Sequence, residues 1–257
     1  MLNEERKMKI IEMIDKEGIV QIQDLTKAFR VSIYTIRRDL SDLENKGLLR
    51  RTHGGAVRIE KSAWLPTIEE GKKEAVAEKK AIALKASEYI EGGDCIFMMG
   101  STITDMITPN ISGKKITVVT NSLDVGSALS QYENIETIII GGRVKNYKGN
   151  ILGSKAVDEI NGYHFDKALI PCGGVQFKAG VTTSTIDSSD FTRAVINVTR
   201  ENILIADYRK IGRVTFSKIC DVSRLSRIIT DDKADTYELD QISKKNVAVD
   251  IAIIDSP

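Results

Sequence analysis

The side chains best placed to do chemistry fall into two groups. The first lies in the run Val31-Ser32-Ile33-Tyr34-Thr35-Ile36-Arg37-Arg38-Asp39-Leu40, in Ser41, and in the basic stretch Arg50-Arg51-Thr52-His53-Gly54-Gly55. Arginine bonds guanine through two donors or clamps a phosphate, and short hydroxyl side chains and backbone N–H groups bond phosphate oxygens. Ser32, Tyr34, Thr35, Arg37, Arg38, Ser41, Arg50, Arg51, His53 and Gly54 are therefore candidate contacts to double-stranded DNA, with His53 read as a turn residue rather than as a chemical group. The second group is Gly100-Ser101-Thr102 with Thr104, Asn121-Ser122, Gly142-Arg143, Gly173-Gly174, Asp207 and Lys210. Small residues and hydroxyls leave backbone N–H groups open to an anion. Arg143 and Lys210 add positive charge, and Asn121 and Asp207 can bond sugar hydroxyls. Such a set suits a small phosphorylated polyol.

Each group needs a scaffold. Ile10, Ile11 and Ile14 recur at helical spacing, which predicts an amphipathic helix over 4–17 stopped by Gly18. A short extended segment with Ile19, Val20 and Ile22 follows, then a helix carrying Leu25, Ala28 and Phe29. Arg30-Val31 is the turn and Ser32 the N-cap of a third helix. Its inward stripe is Ile36, Leu40 and Leu43, so Tyr34, Arg37, Arg38 and Ser41 face away from the core. Leu48–Arg51 and Ala56–Ile59, joined by a turn at His53-Gly54-Gly55, read as a hairpin wing. The order is that of a winged helix-turn-helix.

Charge follows the same division. Residues 1–58 hold 12 Lys/Arg against 9 Asp/Glu, and 28–58 hold seven bases against three acids, although the whole chain carries only +1. A basic face of this kind neutralises phosphate. The 257 residues contain no apolar run of about 18 that would span a bilayer. The charged start Asn3-Glu4-Glu5-Arg6-Lys7 is unlike a secretory leader. Cys95, Cys172 and Cys220 are odd in number and far apart, which reads as buried free thiols in a cytoplasmic protein, and no zinc site or cofactor is indicated.

From Arg58 to about Ala75 the periodicity breaks, with Pro66 inside the stretch, and residues 59–75 read as a linker. Val76–Glu91 then reads as a helix, followed by strand-like runs at Cys95–Met99, Ile116–Thr120, Ile135–Ile140, Ala168–Pro171, Ile203–Ala206, Arg227–Thr230 and Val247–Ile253. Near-continuous β-branched runs separated by helices predict α/β architecture with a mainly parallel sheet over 76–257. Ligands of such sheets bind beyond the carboxyl ends of the strands, where the second group of residues lies.

The head is similar to the DeoR family of bacterial transcriptional regulators, on TIRRDL, Leu43-Glu44, GLL and R-THGGA. The resemblance continues through Glu78-Lys79 with Ala81-Ile82-Ala83, Gly100-Ser101-Thr102, Val119–Leu123, Gly141-Gly142, Gly180–Thr183, and Asp207 with Lys210-Ile211-Gly212. It implies a sensor domain similar to ribose-5-phosphate isomerase, a phosphorylated sugar as effector, and repression of a sugar or polyol operon. Two stretches depart from the pattern. The common Asp-Ser-Gly-Thr-Thr is here Met98-Met99-Gly100-Ser101-Thr102, and the common Asp-x-Ser-Lys has Arg209 before Lys210. One half-site of few base pairs calls for at least a dimer, so a homodimer or homotetramer is expected.

The competing reading is an isomerase-like enzyme with an appended DNA-binding head. Asp207 is the best candidate base, while Asp105 and Asp187 read as helix or loop acids and His164 as a packing residue. With no histidine near the motif loops and no acid in the first loop, binding without turnover is the favoured reading.

Overall fold

A computed structural model describes residues 3–17, 19–45, 48–52, 54–58, 73–145 and 149–254. His53, residues 59–72 of the expected linker and the side chain of Arg50 lie outside the described residues. The chain divides into two compact units, residues 1–61 and 62–257.

In the first unit the order is α1 (Asn3–Glu17), β1 (Ile19–Gln21), α2 (Ile22–Phe29), α3 (Ile33–Asn45), β2 (Leu49–Arg51) and β3 (Gly55–Arg58). Ile22 opens α2 rather than closing the extended segment, because its N–H bonds Gly54 O at 2.7 Å across the wing turn. Ile10, Ile14, Leu25, Ile36, Leu40 and Leu43 close the core between the three helices. The strand order β1-β3-β2 is antiparallel, with Val20 opposite Ala56 and Arg51 opposite Ala56 on the other side. The close approach leaves no room at Gly55, where a Cβ would lie 1.8 Å from Val20 O.

In the second unit α4 (Val76–Glu88) precedes β4 (Cys95–Met98), α5 (Thr102–Ile107), β5 (Ile116–Thr120), α6 (Leu123–Leu129) and β6 (Ile135–Ile139). A hairpin follows, β7 (Arg143–Lys145) and β8 (Asn150–Leu152), then α7 (Ser154–Ile160) and β9 (Phe165–Pro171). Strands β10 (Gly174–Gln176) and β11 (Gly180–Thr183) lead to α8 (Ile186–Asn197) and β12 (Thr199–Ile205). The chain ends with β13 (Ser217–Cys220), β14 (Arg227–Asp231), α9 (Thr236–Ser243) and β15 (Ala248–Ala252). Seven strands in the order β15-β14-β12-β9-β4-β5-β6 form one sheet in which every neighbouring pair is parallel.

Successive strand residues face opposite ways, so Ile96 and Met98 pack under α4, α5 and α6, while Phe97 packs on the other face against Phe165 and Phe191. Both faces are covered, as the continuous apolar runs require. On α4 the buried stripe runs through Ile82, Ala83 and Ala86, and Leu84 is 56% exposed. Two expectations, for His164 and for the cysteines, need correction. His164 is exposed in the turn before β9 and does not pack. Cys172 is buried, but Cys95 and Cys220 are only partly so. The β7–β8 hairpin and the small antiparallel sheet β10-β11-β13 were not anticipated.

Candidate nucleic-acid interface and effector site

On α3 the Ser32 hydroxyl accepts the Thr35 N–H at 3.1 Å and lies 2.9 Å from the Thr35 hydroxyl, fixing the first turn. Tyr34 (84% exposed), Arg37 and Arg38 point to solvent, whereas Thr35 and Ser41 are half-buried on its flanks. Asp39, the next residue, turns inward. Arg6 of α1 grips it through Nε at 2.5 Å and Nη2 at 3.1 Å, and Lys7 bonds Asp42 at 2.9 Å. The Asp39 bond, working against burial, holds the Arg6 guanidinium above its ordinary value. These bonds set the rotation of α3 and hence the direction of Arg37 and Arg38. The wing is moored to the same helix, since Glu44 accepts the Arg51 N–H at 2.9 Å. Arg51 and Gly54 are exposed beside it.

In the second unit the sheet begins at β4, grows through β5 and β6 on one side, and then through β9, β12, β14 and β15 on the other. The switch point lies between β4 and β9, and the crevice beyond their carboxyl ends is where such sheets take ligands. The loop after β4 is built around Gly100. Its N–H donates to Asn121 Oδ1 at 3.0 Å and its carbonyl accepts from Asn150 Nδ2 at 3.1 Å. The hairpin supplies Asn150 and is stitched to the loop after β5, with Ile151 N bonding Asn121 O at 2.7 Å and Leu123 N bonding Gly149 O at 3.0 Å.

A Cβ at Gly100 would lie 2.1 Å from Asn150 Oδ1, an acceptor that is buried without a hydrogen-bond partner among the described residues. Gly100→Ala should therefore push the hairpin off this loop and cost about 1–3 kcal/mol of stability, as overpacking does. Chemical unfolding of the variant measures this, and an unshifted midpoint would contradict the clamp.

The remaining expected effector residues separate into engaged and open ones. Thr104 is buried and donates to Met99 O at 2.9 Å. Asn121 is buried with its amide between Gly100 and Ile151 O, and Ser122 caps α6 through the Val125 N–H. The Gly173-Gly174 pair serves close packing rather than bare N–H groups, because Cβ atoms there would meet Thr215 Oγ1 at 2.8 Å and Arg213 O at 2.5 Å. Ser101 is half-exposed but caps α5 through the Thr104 N–H at 3.1 Å. Thr102 and Lys210 are half-exposed, and Gly142 and Arg143 are exposed.

Asp207 departs most from expectation. It is fully buried and accepts Arg209 Nε at 2.8 Å, Arg209 Nη2 at 3.0 Å and the Arg209 N–H at 3.2 Å. Burial pushes its carboxyl up, but the Arg209 bonds and the charges of Lys210, Arg209 and Lys79 outweigh it and hold the group below the usual carboxylate range. A carboxylate so stabilised and so covered is a poor proton acceptor, and its oxygens are already spoken for.

Arg209 also pairs with Glu74, the second residue before α4. Lys79, buried on α4, is pushed below the ordinary lysine value first by desolvation and then by Arg209 and Lys210. Next to this cluster Glu78 pairs with Lys233 at 2.6 Å, and buried Asp231 accepts the Tyr208 N–H at 2.8 Å. Burial pushes the Cys172 thiol up to about 11, which leaves it protonated and inert. Asn150, Glu74 and Lys79 were missed as site residues. Only Lys79 had a signal, in the Glu78-Lys79 stretch.

Comparison with known proteins accords with this division. Residues 6–62 match the model of the DeoR-like helix-turn-helix domain, and residues 74–232 match that of the DeoR C-terminal sensor domain. The chain is 35% identical to the HTH-type transcriptional regulator FruR of Bacillus subtilis (strain 168), over 96% of this chain and 98% of that protein. It is 29% identical to the putative aga operon transcriptional repressor of Escherichia coli O157:H7, over 95% of this chain and 92% of that protein. Among solved structures, ribose 5-phosphate isomerase A from Neisseria gonorrhoeae is similar at a TM-score of 0.38 and 17% identity, covering 51% of this chain and 52% of that one. No helix among the described residues is long and apolar enough to cross a membrane. The chain is a DNA-binding transcriptional regulator and not an enzyme, and it belongs to the DeoR family.

Proposed function

We propose that this regulator represses an operon of sugar or polyol metabolism and that a phosphorylated sugar, bound beyond the carboxyl ends of the parallel strands, releases or modulates it. The observation that carries the reading is the gathering of Lys79, Arg209 and Lys210 around one buried carboxylate at that edge, in the same chain as the exposed Tyr34, Arg37 and Arg38 of α3. The head contacts DNA through Tyr34, Arg37, Arg38, Arg51 and Gly54, with Ser32, Thr35 and Ser41 positioning the helix, and acts as part of a homodimer or homotetramer. The effector is held by Gly100, Ser101, Thr102, Arg143 and Lys210, while Thr104, Asn121, Ser122, Gly142, Gly173, Gly174 and Asp207 shape the loops. Effector and operator then affect each other's affinity by the same factor.

Thermal-shift screening against phosphorylated sugars, followed by an operator shift assay with any hit, tests the reading. A saturating hit that leaves operator affinity unchanged refutes it. Arg37→Ala and Arg38→Ala should each weaken operator binding by about 1–3 kcal/mol if they read bases, or lower the salt dependence by about one unit if they contact phosphate. Titration at two salt concentrations distinguishes the two, and unchanged binding in both variants removes α3 from the interface.

A further inference from the structure

We propose that the Arg209 guanidinium is an anion-binding subsite for which Glu74 is a built-in competitor, so that an anionic ligand bound there displaces the chain where it enters α4. The occupant, a phosphate group, rests on the sugar-phosphate reading above.

The guanidinium is preorganised on one side. Nε and Nη2 run to the two oxygens of Asp207, which fixes the plane of the group, and Nη1 is left for Glu74. The two carboxylates differ in kind. Asp207 is sealed from water, whereas the side chain of Glu74 is 48% exposed and that of Arg209 30% exposed. The guanidinium is thus covered on the Asp207 side, while the group that shares Nη1 is itself open to solvent.

Asp207 already neutralises Arg209, so Glu74 is a second carboxylate on one cation. Lys210 and Lys79 lie close enough for their charges to bear on Asp207 as well. The other acids nearby have their own donors: Lys233 for Glu78, and backbone N–H groups of Tyr208 and Lys233 for Asp231. A phosphate monoester carries about −1.5 to −2 charges and three strong acceptor oxygens, against one charge on a carboxylate. Glu74 compensates by being tethered, which gives it an effective concentration on the order of millimolar.

The backbone next to Glu74 makes its release consequential. Ala75, between Glu74 and α4, sits at φ 50° in the left-handed region, which an alanine adopts only when held there. The Lys79 N–H bond to Ala75 O at 3.0 Å and the Glu74–Arg209 pair hold it from either side. Losing the pair frees Ala75 to return to an ordinary conformation, which redirects the chain at the start of α4.

The test is calorimetric titration of the full chain, wild type and Glu74→Gln, with inorganic phosphate and with ribose 5-phosphate, fructose 1-phosphate and glucose 6-phosphate at one ionic strength. Removing the competitor should tighten anion binding by about two- to five-fold, the worth of a partly exposed ion pair. A residue with a merely structural role would weaken binding when replaced, so the sign is diagnostic. In the wild type, amide exchange at residues 73–79 should also rise on adding the tightest-binding anion. Equal or weaker binding by a folded Glu74→Gln protein, or exchange that does not change, overturns the proposal. If the gain is seen with inorganic phosphate and no sugar phosphate binds either protein, the subsite stands and the sugar reading falls. If sugar phosphates bind both proteins equally, the sugar reading stands and the subsite falls.

Discussion

Arg209→Ala should destabilise the sensor unit by about 3–5 kcal/mol, the cost of leaving one partner of a buried ion pair uncompensated. Asp207 is the partner left behind, fully buried in the wild type, with Oδ2 robbed of its guanidinium donor and Oδ1 keeping the backbone N–H of residue 209. Replacing the pair together, as Asp207→Asn with Arg209→Met, should cost far less, because no charge is then stranded. The pH dependence separates this cause from lost packing. In the wild type the carboxyl of Asp207 lies below its ordinary value, so its stabilising contribution is complete above the unfolded value of about 3.9 and is lost only as pH falls through the lower, folded one. In Arg209→Ala the carboxyl rises from that value, because burial is then opposed by the charges of Lys210 and Lys79 without the guanidinium. The deficit relative to wild type should then shrink as pH falls from neutrality toward about 4.5, since protonation relieves the stranded charge. Urea unfolding at the two pH values measures both effects, and a deficit that stays constant would show that packing alone is at stake.

Arg6→Ala should take about 3 kcal/mol from the head, between roughly a third and all of its stability, and weaken operator binding, although Arg6 is on the first helix and far in sequence from the Arg37-Arg38 face. The head unit holds roughly 60 residues, and domains have about 0.05–0.15 kcal/mol of stability per residue, or roughly 3–9 kcal/mol in all. Stranding Asp39, which is almost fully buried, costs about 3 kcal/mol, the low end for breaking a buried pair. Even where the fold survives, α3 loses the bond that sets its rotation. A circular-dichroism melt combined with an operator shift assay checks the outcome. A variant with wild-type melting and wild-type affinity would show that the pair is dispensable. The double variant Arg6→Met with Asp39→Leu should recover melting but not full operator affinity, because apolar side chains hold the helix without fixing its angle.

The long regular elements were legible in the sequence because they obey a local rule. Ile36, Leu40 and Leu43 mark one face of α3 by spacing alone, and all seven strands of the main sheet are visible as short, mainly apolar runs, several of them β-branched. The three-residue strands of the β7–β8 hairpin carry too few residues for a period to show, and the hairpin's attachment to the loop after β5 runs through bonds of Ile151 to Asn121 and of Leu123 to Gly149, far apart along the chain. For the same reason the sequence could place Asp207 and Asn121 at strand ends but not say whether their polar atoms were free. That depends on Arg209 and Ile151, whose proximity to them is a property of the folded chain. The Arg6–Asp39 pair spans 33 residues and left no pattern. Arg209 was visible as a departure from the family's sequence, and its meaning changed from a possible extra cation for the ligand to a group already shared by two carboxylates.

All seven strands of the main sheet run the same way, so every loop with a candidate effector group leaves from one rim, while the two apolar layers lie on the faces. Changes at the open rim positions Thr102 and Arg143 leave both apolar layers in place, whereas Gly100, Asp207 and Arg209 also hold the loops together. If the effector binds there as proposed, a lineage built on this plan could exchange its metabolite one loop at a time and inherit the same head unchanged. On the proposed reading, proteins that share the plan need not share a signal, since the side chains of this one rim would select the trigger.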